Sequence, residues 1–166
     1  MTVFNGRYSA KLDGDFVVFL IGMRVNRPLR VRSWWPVFTA MPKMIKELEQ
    51  DPSSGFLGAW QGLWSTGPSL VQYWRSFEHL ERYARDPPAS HLPAWRRFNQ
   101  LARDNGDVGI WHETYRVRAG EYETIYGNMP RVGLAGGAEH RPLGSTSTAA
   151  RRIGERADDE APLPGY

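Results

Sequence analysis

Apolar positions along this chain switch between two periods, and the switch points mark its elements. Residues 16–24 form a β-branched and aromatic run with no polar alternation, which predicts a strand covered on both faces. Trp35, Phe38, Met41, Ile45 and Leu48 then recur at helical spacing. Ser33 is the expected cap of that helix, Pro36 lies in its first turn, and Pro42 is expected to kink or split it. Residues 56–64 predict a second strand in which Gly58 and Gly62 alternate with Phe56, Trp60 and Trp64. A turn at 65–68 leads to a third strand, 69–75, antiparallel to the second. Ser76 caps a helix running to about Arg85, and Asp86-Pro87-Pro88 stops it. Residues 91–105 predict another helix with His91, Trp95, Phe98 and Ala102 on one side, and 108–117 predict the last strand. Residues 5–15 are polar and mixed, with a turn at Gly14. Residues 122–134 are expected to wrap back over the domain. From Gly136 the composition shifts to small and charged residues, so a folded domain over 1–135 and a largely disordered extension over 136–166 are expected.

Strand, helix, strand, strand, helix pair, strand is the ferredoxin-like order of an α+β domain. Helices then cover one face of an antiparallel four-stranded sheet. The other face carries rings and aliphatics, and two such faces packed together would bury both around an interior cavity. The expected assembly is therefore a homodimer, a dimeric α/β barrel. The abundance of rings fits this: seven Trp, seven Tyr and seven Phe exceed the needs of a small core. A net charge of +3 with scattered basic residues gives no stripe for nucleic acid. The absence of cysteine removes disulfides and thiolate chemistry. No leader pattern opens the chain and no apolar run is long enough for an integral membrane segment, so a cytoplasmic location is expected.

Two histidines stand out as candidate catalytic groups. His91 follows a Pro-Pro break and shares a helix face with Trp95; His112 lies mid-strand between Ile110 and Thr114. Imidazole near neutrality can move a proton or ligate iron. The competing readings are a capping histidine and a hydrogen-bonded structural one. Strand alternation groups Gln72 with Trp74 and separates both from Arg75. It separates His112 and Thr114 from Trp111 and Glu113. The first groups are expected to face the cavity, with Gln72, Trp74 or Asn99 as donors to a developing anion. The second are expected on the helical side, with Glu113 pairing a base such as Arg75. Trp60, Trp64, Trp95, Phe98, Asn99 and Thr114 are the expected substrate-lining residues. His79 is expected beside Glu78 in a local ion pair, and His140 in the extension. No metal-ligand spacing is present. Haem needs a single axial histidine, so the cofactor expectation is none or haem, on His91 or His112.

Several words of this sequence also resemble a known family. They are Arg32-Ser33-Trp34-Trp35-Pro36, residues 72–80 (QYWRSFEHL), His91 with Ala94-Trp95 and Phe98-Asn99, residues 109–115 (GIWHETY), and Tyr122, Tyr126 and Asn128-Met129-Pro130. Together they resemble the DUF4188 family, described as fumagillin-pathway monooxygenase-like, over roughly residues 5–135. That family is similar in turn to the antibiotic-biosynthesis-monooxygenase type of dimeric α/β barrel, in which Trp74, Ser76 and His91 look like familiar positions. The resemblance implies a monooxygenase-like enzyme acting on a hydrophobic small molecule in an aromatic-lined cavity. A haem-dependent monooxygenase, peroxidase or dehydratase and a non-catalytic ligand carrier are the alternatives.

Overall fold

A computed structural model describes residues 1–64, 67–85, 106–144 and 148–153. The expected strands are present as β2 (Phe16–Val25), β3 (Phe56–Trp64), β4 (Gly67–Trp74) and β5 (Val108–Val117). They form one antiparallel sheet in the order β3-β4-β2-β5, the ferredoxin-like order. Helix α1 (Val31–Gln50) connects β2 to β3, and α2 (Phe77–Arg85) follows β4. Ile45 and Leu48 of α1 and Leu80 of α2 pack with Val17, Leu70 and Trp74 of the sheet, so both helices cover the same face.

Helix α1 departs from expectation at its start. It begins at Val31, with Arg30 preceding it and no side-chain cap. Ser33 instead donates its hydroxyl to Asp107, 2.9 Å away. Asp107 is buried and also meets Arg27 and Arg30, while its carbonyl accepts from the backbone of Asn26 and Arg27. The loop before α1 is thus tied to the start of β5, and a long-range carboxylate takes the place of a local cap. Pro42 does not split the helix. It is exposed, so the carbonyl it deprives of a partner, that of Phe38, is left to water rather than to the core. At α2 the expected cap is present: Ser76 accepts from the His79 amide and its carbonyl accepts from Leu80.

A second sheet, not anticipated, lies against the opposite face of the first. Strand β1 (Val3–Lys11) sits between β6 (Tyr126–Pro130) and β7 (Glu139–Pro142), both antiparallel to it. Phe4, Tyr8 and Ala10 carry the alternation of β1, continued by Leu12 just past its end and diluted by Gly6 and Arg7. Between β6 and β7 a one-turn helix, Leu134–Gly137, buries Leu134 and Ala135. These residues join Ala10, Leu12, Phe16, Leu57, Tyr126 and Ala138 in a second core. Gly58, at φ +150°, makes the contact close enough: a Cβ there would fall on the carbonyl oxygen of Gly133. Within the extension expected to be largely disordered, Glu139–Pro142 forms a strand and Ala149–Arg152 a one-turn helix, and Gly136 and Gly137 fit against Leu57 where larger residues would not. Residues 154–166 lie outside the described residues.

His140 of β7 belongs to this second sheet. Its ring stacks on Tyr8 with centroids 4.3 Å apart and meets Phe4 and Tyr126 edge-on. Its Nε2 is buried without a hydrogen-bond partner. Burial lowers its pKa below the ordinary 6.5, and the Arg131 guanidinium lowers it further. The unfolded chain takes up this proton more readily than the folded one. The contribution to stability is thus complete above the ordinary value and is lost as pH falls toward the depressed folded value. Urea midpoints measured at pH 7.5 and 5.5 should fall with pH in the wild type, and His140→Phe should flatten that difference. An unchanged slope in His140→Phe would assign the acid sensitivity elsewhere.

Candidate functional site

Residues opposite one another in an antiparallel ladder share a face. The register places Val17 beside Trp74 and Arg116, Phe19 beside Gln72 and Thr114, and Ile21 beside Leu70 and His112. Because Val17, Leu70 and Trp74 pack under the helices, all of these residues lie on the helical face. The expected pairing of Trp74 with Gln72 and of His112 with Thr114 holds, but both pairs stand on the face opposite to the one expected.

Trp74 and Gln72 serve the core. Trp74 is 0 % exposed, and its indole N–H donates to Gln72 Oε1 at 3.0 Å. Its ring packs against Phe56 and Tyr83. Each polar atom of the pair thus answers the other inside an apolar layer, as burial requires.

His112 and Thr114 have the same orientation but a different environment. Both are exposed, while Phe19 and Ile21 beside them are half-buried. The His112 ring lies 5.7 Å from the Phe19 ring. Above this floor runs the inward stripe of α1. Trp34 packs with Met23, Val108 and Ile110, and Met41 joins Phe19 and Ile21. Phe38, at the outer margin of that stripe, remains 38 % exposed and stacks on Trp35. Among the described residues, β5 is the part of the helical face left open. An imidazole and a hydroxyl stand there at the edge of an aromatic floor, the imidazole with no hydrogen bond among the described residues. His91, Trp95, Phe98 and Asn99 lie outside the described residues.

The opposite face has two zones. Val18, Tyr73 and Trp60 pack against the second sheet, and Trp60 stacks on Tyr126. Beyond them Trp64 and Trp111 stack with centroids 5.7 Å apart. Trp111 lies on Gly22, where a Cβ would strike its indole. Trp64 is 45 % and Tyr115 52 % exposed. Glu113 stands on this face as well and accepts from the Tyr115 hydroxyl at 2.6 Å, which replaces its expected pairing with Arg75. That bond and the nearby carboxylate raise the Tyr115 pKa.

A cleft of ≈ 210 Å³ beside the start of α2 is ionic in character. Arg75, Arg116, Asp15 and Glu78 line it with Ser76 and two Phe rings. The Ser76 hydroxyl, with lesser help from Arg116, holds the Glu78 carboxyl below the ordinary range. Arg116 also rests over the Phe77 ring. His79 is held by Ser76, its Nδ1 2.9 Å from the hydroxyl, rather than by an ion pair with Glu78. Among the described residues no cluster of metal-ligating side chains occurs.

The family model for monooxygenase af470-like proteins matches residues 16–134, from the start of β2 to the one-turn helix. The chain belongs to the monooxygenase af470-like family. Monooxygenase af470 of Aspergillus fumigatus is 32 % identical to it over 143 residues, covering 80 % of this chain and 49 % of the relative. The chain thus spans about half the length of that relative. Among solved structures, an aldoxime dehydratase in complex with butyraldoxime superposes with a TM-score of 0.67 at 18 % identity, over 81 % of this chain and 41 % of that one. A cofactor-independent oxygenase from Streptomyces nogalater is more distant, with a TM-score of 0.42 and 14 % identity over 61 % of this chain and 91 % of that one. The family match contains the whole four-stranded sheet and leaves out β1 and β7. Membership therefore attaches to the sheet that carries His112.

The sequence reading missed Phe19 and Ile21 as neighbours of His112. One signal for the helical face was available. Trp74 stands only three residues before Phe77, the first residue of α2, so the chain turns into that helix directly after its side chain.

Proposed function

We propose that this protein is a monooxygenase-like oxidoreductase acting on a hydrophobic small molecule, and that the open β5 end of the helical face is its site. The observation that carries the proposal is His112: an imidazole with no hydrogen bond among the described residues, on an apolar, aromatic floor inside the family-matched region. Phe19 and Ile21 would bind the substrate by excluding water. Imidazole Nε2 or Nδ1 would take a proton from an activated C–H, and Thr114 would orient the polar end. With no cofactor, the substrate supplies the electrons: a CH₂ becomes a C=O, one atom of dioxygen enters it and the other leaves as water.

The same imidazole supports a second reading as axial ligand to haem, which would supply the redox chemistry when bound. Of the described histidines, His112 suits that role. His79 is tied to Ser76, and His140 is enclosed by Phe4, Tyr8 and Tyr126. An absorption spectrum of the purified protein, followed by oxygen uptake with a panel of apolar phenols and ketones, tests both. A Soret band supports haem, and uptake by a colourless protein supports the cofactor-free route. Absence of both would overturn the oxidoreductase proposal.

We further propose that a second copy of the chain covers the Trp64–Trp111 strip. It is the part of the open face that the second sheet does not cover. Trp111→Glu would place a charge in that contact. Light scattering should then report a monomer where the wild type is a dimer; equal masses would refute the assignment.

A further inference from the structure

An apolar stripe on the outside of α1 is used by neither the site nor either core. Leu29 is 98 % exposed, Val31 48 % and Trp35 52 %. Val31 and Trp35 are four residues apart, one turn of the helix, and Leu29 sits just before its start. Trp35 stacks on Phe38 with the rings 12° from parallel, which makes a continuous aromatic ridge. An exposed aliphatic, a β-branched residue and an indole side by side are costly in water without a partner.

The charge around the stripe restricts that partner. Between Asp15 and Glu47 the chain carries Arg24, Arg27, Arg30, Arg32, Lys43 and Lys46 and no carboxylate. Arg27 and Arg30 approach the buried Asp107, which offsets part of this charge, yet their side chains remain more than half exposed. A second copy on the same patch would oppose its own arginines, which disfavours a symmetric contact. Nucleic acid would match the charge but offers nothing to Leu29 and Val31, which have no ring to stack. An anionic lipid surface satisfies both: acyl-chain depth for Leu29, Val31 and Trp35, and headgroup charge for the arginines.

We infer that the first turns of α1, with the loop before them, form a docking surface for anionic bilayers, so that the protein works at a membrane face without crossing it. No described helix is long and apolar enough to cross. This inference stands apart from the oxygenase proposal, because it concerns the outer side of α1 and needs no turnover.

Cosedimentation with phosphatidylcholine vesicles, with and without phosphatidylglycerol, tests it on the full chain. Binding should require the anionic lipid and weaken as salt rises. The Leu29→Asp/Trp35→Asp double variant should bind about tenfold or more weakly, and Arg32→Glu several-fold more weakly, with unchanged circular dichroism. Both changes lie at exposed positions, so the fold should survive them; Arg32→Glu alone suffices as the test if the double variant does not fold. No binding to anionic vesicles, equal binding to neutral ones, or a double variant that binds normally would overturn the inference. A changed elution volume in the double variant would also overturn it, by making the patch a protein interface.

Discussion

His112→Ala should lower substrate-dependent oxygen uptake by about 10²-fold or more, the range a positioned proton-transfer group contributes. The loss should fall on kcat, because Phe19 and Ile21 still bind the apolar part of the substrate. His112 is exposed and makes no hydrogen bond among the described residues, so its removal should leave the thermal midpoint nearly unchanged. That separation is the diagnostic: a fall in activity with retained stability marks chemistry, whereas a fall in both marks packing. His79→Ala provides the contrast. Its ring is engaged by the Ser76 hydroxyl and lies on Gly55, so its loss should cost stability and change kcat only a few-fold. If the protein is isolated with haem, His112→Ala should abolish the Soret band instead. Full activity together with an unaltered spectrum would remove His112 from the site.

Trp74→Ala is expected to destabilise the fold by about 3–5 kcal/mol, the usual cost of deleting a fully buried large ring. Nothing of Trp74 reaches solvent, and its ring joins Phe56 of β3 to Tyr83 of α2. Loss of the indole N–H also strands Gln72 Oε1 in the core, adding about 1–3 kcal/mol. For a chain of this size that lowers the melting temperature by roughly ten degrees or more. Trp74→Phe separates the two contributions, since it keeps most of the ring and loses the donor. Calorimetry of the two variants should rank Ala well below Phe, with Phe below wild type. Equal melting temperatures would show that Trp74 is not the centre of this core.

The strands of the four-stranded sheet were legible because each carries its own signal. Residues 16–24 are apolar throughout, and Trp60 and Trp64 alternate with glycines. The cap at Ser76 was legible for the same local reason. Strand β1 was not, because Gly6, Arg7 and Ser9 dilute its alternation and its stability comes from pairing with β6 and β7, which follow more than a hundred residues later. The segment 136–142 read as featureless for a related reason: small residues look like linker in isolation and act as packing surface when Leu57 and Gly58 lie against them.

Period-two alternation alone determined which side chains stand together: Gln72 with Trp74, His112 with Thr114, Trp111 with Glu113. It carries no label for which side of the sheet the helices will cover. That choice is made by non-local contact, where Ile45, Leu48 and Leu80 close over Val17, Leu70 and Trp74. Once they do, the buried pair on β4 becomes core. The equivalent pair on β5, beyond their reach, becomes the proposed site. Two pairs in the same alternating pattern thus stand in different environments because one strand lies under the helices and the other at the sheet's edge.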